Sequence, residues 1–297
     1  GRVLFWTAEG VCQTPQADPA HSSGVRGVVD LGDRGLVSWG YEGRVLFWTA
    51  EGVCQTPQAE PAHSGSVSGV VDLGDRGLVS WGGDGRVLFW TAEGVCQTPQ
   101  ADPAHSSGVR GVVDLGDRGL VSWGFDGRVL FWTAEGVCQT PQADPAHSGW
   151  VFGVVDRGDR GLVSWGEDGR VLFWTAEGVC QTPQADPAHS DWVRGVLDLG
   201  DRGLVSWGED GRVLFWTAEG VCQTPQADPA HSGGVEGVVD LGDRGLVSWE
   251  STGTVLVHTV SGVVRDYIVT PAVSIRGVVS SSVGPVLASD YLSIYPV

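Results

Sequence analysis

A His, a Ser and an Asp recur along this chain at fixed intervals. His63, Ser80 and Asp84 return as His105, Ser122 and Asp126, as His147, Ser164 and Asp168, and as His189, Ser206 and Asp210. Such a trio suits nucleophilic hydrolysis, in which the His takes the Ser proton and the acid orients the His. That chemistry needs one set with an exposed nucleophile and an oxyanion site. Here the set also recurs as His21, Ser38 and Glu42, and each copy carries a Trp: Trp48, Trp90, Trp132, Trp174 and Trp216. Repetition of this kind points to structure. A buried His needs partners for both ring nitrogens, and a buried carboxylate needs donors. Ser, acid and Trp supplied together satisfy all four groups. No catalytic residue is assigned, and the chain is not expected to be an enzyme.

Other chemistry fails on spacing. One His per copy cannot converge on a metal, whose ligands lie within about 2.0–2.2 Å. The run "VVDLGDRG" lacks the acid pattern of a calcium loop and reads as a turn. No Gly-rich phosphate loop opens a helix. Six Cys stand at 12, 54, 96, 138, 180 and 222, always in "EGVCQTP". Equivalent positions of successive copies lie too far apart for disulfides, whose Cα atoms are within about 7 Å, so buried free thiols are expected. No metal and no cofactor is expected.

The elements that carry these residues repeat as well. "GRVLFW" begins at Gly1, Gly43, Gly85, Gly127, Gly169 and Gly211, a period of 42 residues, and a degenerate "GTVLVH" begins at Gly253. Periods of this length mark propellers or solenoids. Each copy holds four strand-like runs, as in "GVRGVVDL", "GLVSWG", "GRVLFWT" and "EGVCQT". An Asp-Gly turn joins the second to the third, and "PQADPAHS" follows as a loop. Helical periodicity is absent. The pattern predicts an all-β propeller of four-stranded antiparallel blades.

These residues resemble the WD-repeat family, whose blade runs from a His in the loop before the innermost strand to an aromatic on the third. The resemblance implies that His63, Ser80, Asp84 and Trp90 are joined by hydrogen bonds, and likewise the three sets that follow, each closed by its Trp. The usual Gly-His and Trp-Asp dipeptides read Ala-His and Trp-Thr here. In the sixth set Thr252 and His258 stand for the acid and the Trp beside His231 and Ser248, and the seventh has no His. The expected architecture is one domain over 1–297. Its repeat units are 1–42, 43–84, 85–126, 127–168, 169–210, 211–252 and a degenerate 253–297. Seven blades are expected, closed by strands from both chain ends. The third strand of the last blade comes from "YLSIYPV" or from the N-terminal "RVLFWT", and the leftover invites a swapped dimer as the alternative to a monomer.

The copies differ at few places. Numbering each from its "GRVLFW", position 24 reads Gly24, Ser66, Gly108, Trp150, Trp192 and Gly234. Position 26 reads Arg26, Ser68, Arg110, Phe152, Arg194 and Glu236. Position 41 reads Tyr41, Gly83, Phe125, Glu167, Glu209 and Ser251, and position 23 varies too. All fall at the start of the first strand or in the turn after the second, which share one end of an up-and-down blade. Side chains alternate, so 24 and 26 face away from the constant Val between them. Drift would also touch the loop "TAEGVCQTPQADPAHS", which changes once, at Glu60. Aromatics and Arg are enriched at interaction hot spots. The expected function is a protein-interaction module with a variable face. On it Trp150, Phe152, Trp192 and Arg194 form one aromatic–basic patch, extended by Tyr41, Phe125, Arg26 and Arg110 and by Glu167, Glu209 and Glu236. The resemblance makes this the usual partner-docking face, and near-identical repeats resemble nonself sensors. A recently amplified structural repeat without a ligand and a glycan-binding propeller are the alternatives.

Composition narrows the partner. The formal charge is −18, and nucleic acid needs a basic footprint. No apolar run approaches a membrane span. The first residue is Gly and Met is absent, so an excised or processed piece is expected. All basic residues are Arg, and Lys and Asn are missing as well, which suggests a GC-rich bacterial gene. Free thiols fit a cytoplasmic, reducing setting.

Overall fold

Val-rich and aromatic runs alternate with Gly-bearing turns in every copy, and each copy folds accordingly into consecutive antiparallel strands. The computed structural model describes residues 1–13, 20–56, 60–98, 103–140, 145–182, 186–224 and 230–259, and the backbone of 264–269, 275–281 and 284–289. Two compact units result, Gly1–Pro145 and Ala146–Val297.

In the N-terminal unit, β1 (Val25–Asp30), β2 (Leu36–Gly40) and β3 (Val45–Trp48) form one sheet. A second holds β4 (Val67–Asp72), β5 (Leu78–Gly82) and β6 (Val87–Trp90). The third holds β7 (Val109–Asp114), β8 (Leu120–Gly124) and β9 (Val129–Trp132). In the C-terminal unit, β10 (Val151–Asp156), β11 (Leu162–Gly166) and β12 (Val171–Trp174) form one sheet. The next contains β13 (Val193–Asp198), β14 (Leu204–Gly208) and β15 (Val213–Trp216). β16 (Val235–Asp240), β17 (Leu246–Glu250), β18 (Thr254–His258) and β19 (Val264–Val269) form a four-stranded sheet, and β20 (Ile275–Ser281) pairs with β21 (Gly284–Ser289). Among the described residues no helix is long and apolar enough to cross a membrane.

The predicted fourth strand is shorter than expected. "EGVCQT" meets the third strand at one bridge, Trp48 to Cys54, and Gln55 N–H donates to Phe47 O at 2.8 Å. The next donor, Phe47 N–H, goes to the side-chain Oγ1 of Thr56 at 3.0 Å. A Thr hydroxyl thus substitutes for the carbonyl that would continue the ladder. The described part of this sheet therefore has three strands and a short edge. Only β18, paired along its length with β19, gains a full fourth strand among the described residues. The expected third strand "YLSIYPV" lies outside the described residues. The Cys residues are free, as expected, but half-buried instead of buried. Burial pushes the thiols of Cys54, Cys96, Cys138, Cys180 and Cys222 up, away from the reactive thiolate.

Within each unit, neighbouring sheets are joined by recurring contacts. Phe47 packs on Trp90 at 5.8 Å between ring centroids, Phe89 on Trp132 at 5.8 Å, and Phe173 on Trp216 at 5.7 Å. His63 N–H, ahead of β4, donates to Gly43 O in the β2–β3 turn of the preceding sheet, as His105 does to Gly85 O and His189 to Gly169 O, each at 3.1 Å. Gly43 has φ of 81°, and a Cβ there would meet His63 O at 2.0 Å, so only Gly fits this joint. At the other end, the run read as a turn is a short 3-10 segment, Gly32–Arg34 in the first copy. Its Arg pairs with the first-strand Asp of the next copy: Arg34 with Asp72 and Arg76 with Asp114 at 2.6 Å, and Arg202 with Asp240.

Candidate functional site

The His, Ser, acid and Trp side chains of one set lie together between the first three strands. In the second copy His63 Nδ1 lies 2.9 Å from Asp84 Oδ1, Ser80 Oγ lies 2.9 Å from His63 Nε2, and Trp90 Nε1–H donates to Ser80 Oγ at 2.9 Å. A carboxylate only accepts and an indole only donates. The acid therefore takes a proton from His Nδ1, and the Ser oxygen, which accepts from the indole, lies within hydrogen-bond reach of Nε2. Asp84 also accepts from the N–H groups of Ser64 at 2.9 Å and Arg86 at 3.2 Å. Burial alone would raise its pKa. The His63 hydrogen bond, the His63 charge and these two N–H groups outweigh burial and hold it below the usual carboxylate range. His147, Ser164, Asp168 and Trp174 repeat these contacts at 2.8–2.9 Å. So do His105, Ser122, Asp126 and Trp132 at 2.9 Å, and His189, Ser206, Asp210 and Trp216 at 2.8–3.0 Å. In the first copy Glu42 takes the acid's place on His21. Ser38, Ser80, Ser122, Ser164, Ser206 and Ser248 are fully buried. Among the described residues no three His, Cys, Asp or Glu side chains converge as a metal site requires.

The sixth set brings in a residue that the motif does not contain, at ion-pair distance from the His and without a hydrogen bond to it. His258 Nε2 takes the place of the indole on Ser248 Oγ at 2.7 Å. The acid comes from Glu250, not from position 252. Its carboxylate accepts from Thr252 and Thr254 hydroxyls at 2.6 Å and from Gly233 N–H at 2.8 Å, and lies 3.9 Å from His231 Nδ1. The signal is a single change: Glu250 stands where the other copies have Gly. At the equivalent Gly82 a Cβ would lie 2.8 Å from His63 Nδ1 and 3.0 Å from Asp84 Oδ1, so a side chain grown there enters the carboxylate's place. Burial pushes the Glu250 carboxyl up, but its four donors, the Thr252, Thr254 and Ser232 hydroxyls and Gly233 N–H, outweigh that and hold it at about 2. Burial also depresses the His231 pKa, against the pull of Glu250.

The variable positions come together at one end of each copy. Position 41 donates its N–H to the carbonyl of position 24: Tyr41 to Gly24 at 3.2 Å, Phe125 to Gly108 at 3.0 Å, Glu167 to Trp150 and Glu209 to Trp192 at 2.9 Å. Position 26 lies at a β-bulge in every first strand. Val151 pairs with Gly166 and Gly153 with Trp165, so Phe152 between them is the extra residue. A bulge turns that residue out of the ladder and re-aims its side chain. Alternation alone predicts the outward direction; the bulge is its physical cause. The signal was the constant Gly that follows, where a Cβ on Gly153 would lie 2.2 Å from Trp165 Cζ2.

The two units present different chemistry on this end. In the N-terminal unit Arg26 lies over the Tyr41 ring at 5.6 Å and Arg110 over Phe125 at 5.8 Å. In the C-terminal unit Phe152 meets Trp192 edge to face at 5.7 Å, and Trp150 and Trp192 are 45% and 43% exposed. Arg194 does not make this patch basic. It donates to Glu209 Oε1 and Glu236 Oε2, both at 2.6 Å. Partial burial opposes its charge, but those two carboxylates outweigh burial and bind the proton more firmly. The expected aromatic–basic patch is therefore aromatic and acidic.

One constant position is also broken on the opposite end of the strands. Arg157 stands where five copies carry Leu, and its side chain is only 2% exposed. Nη2 donates to Ala218 O at 2.8 Å, while Nε lies 3.6 Å from Asp198 Oδ1 with no hydrogen bond. A cavity of about 410 Å³ opens beside it, lined among others by Arg160, Phe173, Glu177 and Glu219.

Comparison with known protein families finds no match, and neither does comparison with curated proteins. Among solved structures the chain is similar to the computationally designed protein Ika8, a repeat propeller, at 19% identity over 92% of this chain and 83% of that one, with a TM-score of 0.58. It is also similar to the WD40 β-propeller domain of Doa1, at 19% identity over 91% and 90% of the two chains, with a TM-score of 0.48. Together with the recurring antiparallel sheets, the likeness to Ika8 shows an all-β repeat scaffold of propeller type.

Proposed function

We propose that this chain is a non-enzymatic recognition module of WD-repeat type. Its constant scaffold presents a partner-specific face through the bulge and turn positions. One observation carries the reading: exchange among the copies concentrates at positions 23, 24, 26 and 41, which converge at one end, and there it brings exposed indoles. A bulge residue can change without disturbing a ladder pair, so the face varies at little cost to the core. The buried serines support a structural role for the His sets. Closure as seven four-stranded blades belongs to the same proposal. In it β20 and β21 begin the last blade, and Gly1–Gln13 carries the pattern of its remaining strands. The partner is a protein, bound by a chain that acts as a monomer.

Panning a phage-displayed random peptide library tests the face. Peptides enriched on the protein should lose binding to the variant Trp150→Gly with Trp192→Gly, which restores the Gly of other copies, at an unchanged melting temperature. Enriched peptides that bind both proteins equally, or no enrichment at all, would refute the site.

A further inference from the structure

Each exposed indole of the C-terminal unit has a carboxylate held on its own backbone. Glu167 Oε2 accepts from Trp150 N–H at 3.2 Å, and Asp191 Oδ1 accepts from Trp192 N–H at 2.8 Å. The acids come from different positions, 41 in one copy and 23 in the next, yet the pairing of indole and carboxylate is the same. Phe152 fixes the Trp192 ring from the side. The surrounding charge is acidic. Arg194 is shared between Glu209 and Glu236, and Arg170 and Arg212 each lie 4.0 Å from the network acids Asp168 and Asp210.

An indole face is the strongest aromatic partner for a cation. A carboxylate beside it adds a charge-assisted hydrogen bond to the same group. An anionic segment would meet Glu167, Asp191, Glu209 and Glu236 together. A purely apolar one would strip water from these carboxylates without replacing it. The N-terminal unit shows the same chemistry met from within, where the chain's own Arg26 and Arg110 cover the rings of Tyr41 and Phe125. The net charge of −18 draws cations toward the protein from a distance.

We propose that the face around Trp150 and Trp192 takes a basic protein segment, with one Lys or Arg side chain seated over each indole and hydrogen-bonded to the carboxylate held on that residue's N–H. This rests on the recognition reading above and names its partner's chemistry.

Fluorescein-labelled octa-arginine, followed by anisotropy, is the probe. Any polycation is attracted to so acidic a chain, so the contrast between variants decides. Trp150→Ala with Trp192→Ala should weaken binding about tenfold or more through the loss of two cation–π contacts. Glu167→Gln with Asp191→Asn should weaken it to a similar degree. Asp33→Asn with Asp243→Asn removes two carboxylates from 3-10 turns at the far ends of their first strands, and should stay within about twofold of the unaltered protein. Equal losses in the two charge-neutralising variants, or none in the Trp variant, would overturn the proposal. Library peptides that need the indoles but carry no Lys or Arg would overturn it too while leaving the recognition reading intact.

Discussion

Arg157→Leu should make this protein more stable, although it deletes an ion pair. The equivalent Leu31, Leu73 and Leu115 are 6–7% exposed and pack in the core, and Arg157 occupies that space with a side chain 2% exposed. Its shortest polar contact among the described residues is the 2.8 Å bond to Ala218 O, and Asp198 stands 3.6 Å away. Burial is the largest influence on its pKa and lowers it, and the Arg160 charge adds to this against the pull of Asp198 and, more weakly, of Glu219. A desolvated ion costs several kcal/mol, which a long, single-sided pair offsets only in part. A buried Leu contributes roughly 1.5–3 kcal/mol. The exchange also frees Asp198. Arg160 now reaches it only at 3.6 Å, against 2.6 Å for Arg34 on Asp72, while it donates to Gly200 O at 2.7 Å. The expected gain is about 1–3 kcal/mol, or roughly 2–4 °C in melting temperature per kcal/mol. Equilibrium denaturation in guanidinium reads it directly, with the reverse exchange Leu115→Arg losing at least as much. A loss of stability in Arg157→Leu would refute the reasoning and would mean that the guanidinium is held by more than Ala218 and Asp198.

Two further outcomes follow from the buried networks. Asp84→Ala strands three donors, on His63, Ser64 and Arg86, and should cost about 1–3 kcal/mol in the same denaturation assay; no measurable loss would exclude the network from the stability of that copy. Stability should fall on the acid side. The Glu250 carboxyl sits at about 2 in the folded chain against an ordinary 4.5, so its contribution, roughly 3 kcal/mol, is complete above the ordinary value and is lost as pH falls toward 2. His231 is depressed below 6.5, so the unfolded chain takes its proton first and stability drops in the same direction below that pH. Denaturation midpoints at pH 7, 5 and 3.5 check both, and Glu250→Gln should lower the midpoint at pH 7 while flattening the acid decline.

Much of this was legible because the chain states each rule six times. The period gave the strands, and recurrence beside Trp turned an apparent hydrolytic set into a scaffold network. The short fourth strand was not legible, since the Thr56 hydroxyl that ends the ladder looks like any Thr in a β-rich run. Nor was Glu250, because its role depends on where a Cβ at that Gly position points. Arg194 read as a basic anchor from its type alone. Only the approach of Glu209 from the neighbouring strand turn and of Glu236 from the next copy shows its charge already claimed.

The joints between copies suggest how such a chain can change over time. The carbonyl of Gly43, the ring of Phe47 and the guanidinium of Arg34 each meet a residue that recurs in the following copies up to the degenerate last one. A whole copy inserted or removed between two others would leave those joints satisfied. Its bulge and turn residues would travel with it, so recombination within the gene could shuffle surface specificities as ready-made cassettes while the core stays as it is.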